Sequence, residues 1–333
     1  MALLIPLGLD LYMPVPADSL LTAGTIGPGQ RLSNDRMALA IPLGLDPYMP
    51  VPADNPLTAD TIDLGQRLFN DRRLSRTGSI SCSSCHQPER AFSDGRAVSV
   101  GVFGRPGRRN APALINRGYG RMFFWDGRSP SLEDQVLEPI QDPNEMDLTI
   151  DEAAARVGLD GVTISRALAG YVRSILSGDS PYDRFVNGDR GALSAEEQRG
   201  FRMFRGKGDC EICHAGPNFS DEELHNTGIA ARPSTASTGS GQASPGQGGA
   251  FADPGADQGH FKTPTLREVA RTAPYMHDGS LQTLEEVVDF YDRGGRPNPA
   301  IDPELHPLDL SVDEKQALVA FLKSLSGTIR EGR

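Results

Sequence analysis

The chain has 333 residues, 38% of them apolar, with 33 Lys or Arg against 44 Asp or Glu and a net charge of −11. That length suits two domains of ordinary size, and no apolar stretch is long enough to span a membrane. The acidity argues against nucleic acid or an anionic membrane surface as a partner.

Residues 1–36 nearly copy residues 37–72, differing at 8 of 36 positions. The second copy carries Leu64, Leu68 and Phe69, an apolar stripe that predicts a helix packed onto a core. The first copy has Pro28, Leu32 and Ser33 at those places. Proline inside a helix costs about 3 kcal/mol, and Ser33 removes a core anchor. Residues 1–36 are therefore read as a duplicated, loosely ordered arm. The first residues lack a basic n-region and Asp10 interrupts their apolar run, so no signal peptide is read there.

Next along the chain comes Cys82-Ser83-Ser84-Cys85-His86, and far downstream Cys210-Glu211-Ile212-Cys213-His214. Both read C-x-x-C-H, and together they use all four cysteines. The pattern is that of c-type haem attachment: two thiols add across the two vinyl groups of one haem, and the adjacent histidine reaches the iron. A zinc ribbon or a thioredoxin-type dithiol would also use C-x-x-C. The distance between the pairs and the histidine directly after each argue for two haems instead. Two haems point to electron transfer coupled to a redox reaction, and an acidic surface would suit a basic electron-donor protein. Haem held through thioethers is installed after export, which points to the periplasm.

A coarser repeat frames each motif. Gly65-Gln66-Arg67-Leu68-Phe69 precedes the first and Gly200-Phe201-Arg202-Met203-Phe204 the second. Downstream, the run from Ala167 to Ile175 parallels the run from Ala317 to Leu325, with aromatic and aliphatic residues at helical spacing. A helix before the motif and another closing the unit is the layout of a cytochrome c domain. Capping boxes at Thr149/Glu152, Ser194/Glu197, Thr283/Glu286 and Ser311/Glu314 support helices, and no convincing alternating strand pattern is present. The expected fold is all-α: two cytochrome c-like haem domains in tandem, with long loops. The boundaries read are 37–185 and 190–328, with a link near Ser180–Leu193 and a Gly/Ser/Pro-rich surface loop at 232–258.

From about residue 46 to 326 the chain resembles the bacterial dihaem cytochrome c peroxidase and MauG family. The resemblance rests on Leu64–Gly95, Phe124-Trp125-Asp126-Gly127-Arg128, Gln135–Met146 and Phe261–Gly295. Many members place a displaceable distal histidine in the segment after the first motif. Here Arg96–Arg109 has none, and Met122 and Met146 lie outside it. The first iron, held by His86, is therefore expected to keep an open position even when fully oxidised. The family lines that open side with a segment like Gln135-x₃-Pro139-x₅-Glu145, and all three residues match. The resemblance casts Glu145 as the group that moves a proton between the peroxide oxygens, Gln135 as a hydrogen-bonding partner of peroxide, and Pro139 as pocket wall. Read alone, Glu145 would be a solvated turn carboxylate. Trp125, the only tryptophan, would ordinarily be core packing; the resemblance places it between the haems as an electron relay.

The second iron, held by His214, has two candidate sixth ligands, Met276 and Tyr291. Leu284, Val287, Val288 and Tyr291 fall on one helical face, so the Tyr291 ring is expected to be buried. The family's sixth ligand lies seventeen residues after the Pro of a Thr-x-Pro segment, as methionine in the peroxidases and tyrosine in MauG. Counted from Pro274, that position is Tyr291. A hard phenolate would favour storage of oxidising equivalents. His277 and His306 remain possible ligands, in settings that also fit packing or surface roles. The resemblance further implies one Ca²⁺ held by Asn110 and the carbonyls of Thr272 and Pro274.

Two departures stand out. Between Met146 and Ile164 the chain is shorter than the resemblance implies, which points to one helix fewer. MauG has a tryptophan just before its second motif, where this chain has Lys207-Gly208-Asp209. The implied activity is reduction of hydrogen peroxide at the first haem, with electrons delivered through the second from a cytochrome c or cupredoxin. The alternative is a MauG-like oxidase that uses a stored high-valent state to modify side chains of a partner protein.

Overall fold

The computed structural model describes residues 39–229 and 259–332. The arm at 1–36 and the loop at 232–258 lie outside the described residues. In chain order the elements are α1 (Ala59–Phe69), α2 (Cys82–Cys85), α3 (Leu132–Gln135), α4 (Glu138–Gln141), α5 (Ile150–Val157), α6 (Gly161–Arg173), β1 (Leu176–Gly178), α7 (Pro181–Val186), α8 (Ala195–Arg205), β2 (Leu224–His225), β3 (Phe261–Lys262), α9 (Leu284–Asp292), α10 (Val312–Lys323) and β4 (Thr328–Arg330). The chain is mostly helical, as its capping and periodicity predict.

Helix α1 begins where the Thr58 hydroxyl accepts the Thr61 N–H, and it buries Ile62, Leu68 and Phe69 at no more than 3% exposure. Burying each such side chain contributes roughly 1.5–3 kcal/mol. The stripe read from the sequence is thus the face that docks, and it docks on α6. The crossing is set by a glycine. A methyl group on Gly65 would lie 2.0 Å from the Ala167 carbonyl oxygen and 2.7 Å from Tyr171 Cβ. Helices α8 and α10 cross in the same way: a methyl on Gly200 would lie 1.9 Å from the Ala317 oxygen and 2.7 Å from Phe321 Cβ. Such contacts need backbones closer than any Cβ permits. The two glycines and their partners are the ones aligned by the sequence repeat.

Around these crossings lie two apolar cores. The first gathers α1, α3, α5 and α6 with Leu74, Phe92 and Ile140; the second gathers α8, α9 and α10 with Phe219 and Leu266. We refer to them as the first and second lobes. A smaller cluster joins Ile229, Phe261 and Phe290 with Trp125, Met276, Leu281 and Tyr291.

Three of the four expected capping boxes close in both directions, at Thr149, Ser194 and Ser311. At Thr283 only half of the box forms. Its hydroxyl accepts the Glu286 N–H, while the Glu286 carboxylate takes the Gln282 N–H at 2.5 Å.

The structure differs from the sequence reading in two places. The stretch Ser180–Leu193 is not a solvated link at its start. It opens with α7, whose Ser180/Asp183 box is fully buried, and Asp183 meets Arg267 at 2.5 Å with both side chains at most 1% exposed. Its Pro, Asp and Gly residues are capping and turn chemistry, which composition alone cannot tell from a linker. The short connection after Met146 holds α5, the two-turn helix that the Thr149 box predicts, closed by Gly158 at φ 74°. Finally, two antiparallel two-stranded sheets are present, β1 with β4 and β2 with β3. Strands of two or three residues are too short to show alternation. Through β4 the chain returns from the second lobe, and Ile329 packs on the first core.

Candidate functional site

Both C-x-x-C-H motifs line one cavity of ≈ 720 Å³. On the first-lobe side, the His86 ring is fixed by a 2.8 Å hydrogen bond from Nδ1 to the Phe92 carbonyl oxygen. On the second-lobe side, His214 Nδ1 bonds the Phe219 oxygen at 2.9 Å. A carbonyl only accepts, so Nδ1 carries the proton in each ring and Nε2 keeps its lone pair for a metal. Burial also holds both imidazoles below the usual histidine range, which keeps them neutral. Burial pushes Cys82 and Cys210 up to about 12 and Cys85 up to about 11. These thiols are neutral, shielded side chains turned toward the cavity, which suits residues that become thioethers. The two motifs thus fit two covalently held haems.

Glu145, Gln135 and Pro139 line the same cavity on the first-lobe side. The turn that carries Glu145 is clamped from two directions. Val102 N–H donates to the Glu145 carbonyl at 2.8 Å, and Met146 N–H donates to that of Pro139 at 3.2 Å. Gly101 is required there, since a Cβ would lie 2.0 Å from the Asn144 oxygen. Desolvation, helped by the nearby Asp142 carboxylate, raises Glu145 to about 7. The carboxyl is therefore no ordinary solvated turn residue. From Arg96–Arg109, the side of the cavity receives Ser99, Gly101, Gly107, Arg108 and Arg109. That segment contains neither histidine nor methionine.

On the other side, Tyr291 and Met276 both line the cavity and share the small apolar cluster. The partly buried Tyr291 phenol is raised by desolvation and then by the thiols of the second motif, Cys213 and Cys210. A second internal repeat, too faint to stand out in the sequence alone, relates these groups to the first lobe at a spacing of 152 positions. The bridge Phe123–Ser129 matches Tyr275–Leu281, and Phe124 (φ 66°) matches Met276 (φ 71°). The N-cap Ser131 of α3 matches Thr283 of α9. Continued four residues beyond Gln135, the register sets Pro139 against Tyr291. Proline has no N–H to donate to the Gln135 carbonyl, and there the helix splits into α3 and α4. In the second lobe the helix runs on unbroken and presents a phenol.

The family model for dihaem cytochrome c peroxidase matches residues 59–191. The methylamine utilization protein MauG of Methylorubrum extorquens is 38% identical over 273 residues, covering 76% of this chain and 74% of that one. Cytochrome-c peroxidase IdrP1 of Denitromonas iodatirespirans is 39% identical, covering 97% of this chain and 87% of its own. This chain belongs to the dihaem cytochrome c peroxidase and MauG family. Among solved structures, a MauG-like protein associated with microbial copper homeostasis matches with a TM-score of 0.75 and 33% identity, over 87% of this chain and 96% of that one. Membership makes the protein a dihaem oxidoreductase, and haem c the group its two motifs hold.

The other residues singled out from the sequence also find places in this dihaem protein. Trp125 lines the cavity, donates its indole N–H to the Asn110 carbonyl at 2.9 Å, and its own carbonyl accepts the Lys262 N–H at 2.7 Å. Asn110 is buried, and its side-chain amide lies 2.7 Å from the Arg96 oxygen and 3.4 Å from that of Pro274. Thr272 lines the cavity nearby. The Asn110 amide N–H group donates to both of these carbonyl oxygens. His277 stacks on Phe261 with ring centroids 3.7 Å apart, a packing role, whereas His306 is exposed at the cavity rim.

Sequence reasoning missed two groups. His225 lies 2.9 Å from Asp221 and 2.5 Å from Asp302, with Cys213 Sγ at 3.9 Å. Arg117 and Lys262 share the buried Glu222, at 2.8 and 3.5 Å. In the first group Asp221 and His225 stand four apart and only Asp302 is distant, so Asp221-x₃-His225 was the local signal available; Arg117, Glu222 and Lys262 come from separate parts of the chain and left none.

Proposed function

We propose that this chain is a dihaem c-type peroxidase that reduces hydrogen peroxide at the first lobe, with electrons delivered through the second from a small redox protein. The observation that carries the proposal is Glu145. It is a partly buried carboxyl titrating near pH 7, set beside Gln135 and Pro139 in the cavity that receives His86. Haem iron supplies the site where peroxide binds and electrons are exchanged. The remaining work falls to the chain. Gln135 orients peroxide by hydrogen bonding, and Pro139 shapes the pocket without offering a ligand. Glu145 takes a proton from the inner oxygen and returns it to the leaving one. With two electrons and two protons supplied, each peroxide yields two waters.

In this reading the lobes are cytochrome c-type domains, 37–185 and 190–328, which the matched glycine crossings support. Tyr291 would be the further protein ligand of the haem that His214 holds, with Met276 packed beside it. Trp125 relays electrons between the lobes, and Asn110, Thr272 and Pro274 hold one Ca²⁺. The donor is a cytochrome c or a cupredoxin, and the compartment is the periplasm. A MauG-like oxidation of a partner protein is the second reading, favoured by a tyrosine at position 291.

The test is peroxide-dependent oxidation of reduced cytochrome c by the dihaem protein. The Glu145→Gln variant should lose about 10²–10⁴-fold in its rate with peroxide. An unchanged rate would remove Glu145 from the mechanism. Slow turnover by the wild type, with a persistent oxidised state, would favour the second reading.

A further inference from the structure

Tyr171 stands apart from the cavity chemistry. Its side chain is 2% exposed, on α6 at the crossing with α1. Its hydroxyl donates to the Glu331 carboxylate. A line of rings connects it to the first motif: Phe69 lies 5.1 Å from Tyr171 and 6.4 Å from His86, centroid to centroid. Glu331 is held in place from both sides. The β1–β4 pairing fixes the residues before it, and Gly332 N–H donates to Ser174 Oγ at 3.0 Å after it. Glu331 is itself exposed, so a proton placed there can pass to water.

A buried phenol gives up an electron readily only if its proton leaves at the same time, because an oxidised phenol is a very strong acid. The carboxylate in hydrogen-bond contact supplies that base. The second lobe lacks the arrangement: at the matching crossing against Gly200 stands Phe321, with no hydroxyl. The phenol occurs on the lobe to which peroxide chemistry is assigned.

We propose that Tyr171 is a redox-active tyrosine that drains oxidising equivalents from the first haem centre when no electron donor is bound. This rests on the peroxidase reading, with hydrogen peroxide as oxidant. One electron leaves the Tyr171 ring along the Phe69–His86 line to the centre oxidised by peroxide. The phenolic O–H bond breaks, its proton goes to Glu331, and a neutral tyrosyl radical remains. The electron is consumed in reducing the oxidised centre by one equivalent. The function is protective: an unspent oxidant is moved to a buried ring beside a solvent-exchanging carboxylate, away from the haem and its thioethers.

The experiment adds one equivalent of peroxide to the diferric holoprotein without donor and freezes it for electron paramagnetic resonance, with optical spectra in parallel. Wild type should give a radical whose signal narrows when the protein is made with ring-deuterated tyrosine. Tyr171→Phe, the residue found at the matching place in the second lobe, should abolish that signal. Glu331→Gln should slow its formation by at least about tenfold, since the proton acceptor is gone. The deuteration arm needs no variant and stands even if a substitution impairs folding. If the haem spectrum changes but no deuterium-sensitive radical forms, or the radical persists in Tyr171→Phe, the inference is wrong while the peroxide reading stands. An unchanged haem spectrum would overturn both.

Discussion

At the residue scale, the decisive group is Glu145. Its burial near Asp142 places it at about 7, above the ordinary 4.5 of a glutamic acid. The folded chain therefore binds a proton there that the unfolded chain has lost, between those two values. Stability falls as pH rises through that window, and the full cost is present above about pH 7. Glu145→Gln removes the titration. Its stability relative to wild type should improve between about pH 5 and pH 8 in denaturant melts. A parallel shift of both proteins would show that the carboxyl is not desolvated. For the reaction, the base form is required first, so the peroxide rate should rise with pH through about 7 in the wild type and lose that limb in the variant. The same residue shows the limits of local reading. In Asp142-Pro143-Asn144-Glu145 nothing predicts burial; the wall that desolvates it comes from Gly101 and Val102, distant in sequence. Only the likeness of three spaced residues to a known pocket pointed to it.

At the level of elements, Gly65 and Gly200 set the helix crossings on which both lobes are built. Gly65→Ala and Gly200→Ala should each cost about 1–3 kcal/mol in chemical denaturation, because the facing group is backbone and cannot turn aside. A neutral outcome would mean that the helices separate without penalty. The helices themselves were legible from the sequence: apolar stripes, capping residues and the repeated Gly-x-x-x-Phe runs all match what forms. The short strands and α7 were not. Two-residue strands carry no period, and the Pro, Asp and Gly of α7 spell a linker as well as a cap. The split of α3 from α4 was also hidden until the second repeat set Pro139 beside Tyr291. That pairing predicts that Tyr291→Phe changes the optical spectrum of the second haem, while Met276→Leu leaves it alone. The opposite result would transfer the ligand role to Met276.

For the whole molecule, buried ion pairs join what the sequence separates. Arg267 reaches Asp183 at 2.5 Å, the Pro217 oxygen at 2.7 Å and the Gly44 oxygen at 2.8 Å, with its side chain 1% exposed. Removing it leaves Asp183 charged in a dry site. Arg267→Ala should thus cost roughly 3–5 kcal/mol, read as a lowered denaturation midpoint. A loss below about 1 kcal/mol would mean that water replaces the guanidinium. Such joints hold two similar lobes around one cavity, and Pro139 and Tyr291, at matching positions of the two, make them unequal. The duplication was visible in the sequence and the resemblance already implied the inequality; comparing the lobes position by position added that Pro139 stands where the second lobe has Tyr291. The most direct test is to add one equivalent of peroxide to diferric protein that has never been reduced, following the haem absorption. An open first site with Glu145 in place predicts an immediate spectral change, strongly slowed in Glu145→Gln. A wild-type protein that reacts only after prior one-electron reduction would contradict the division of labour between Pro139 and Tyr291.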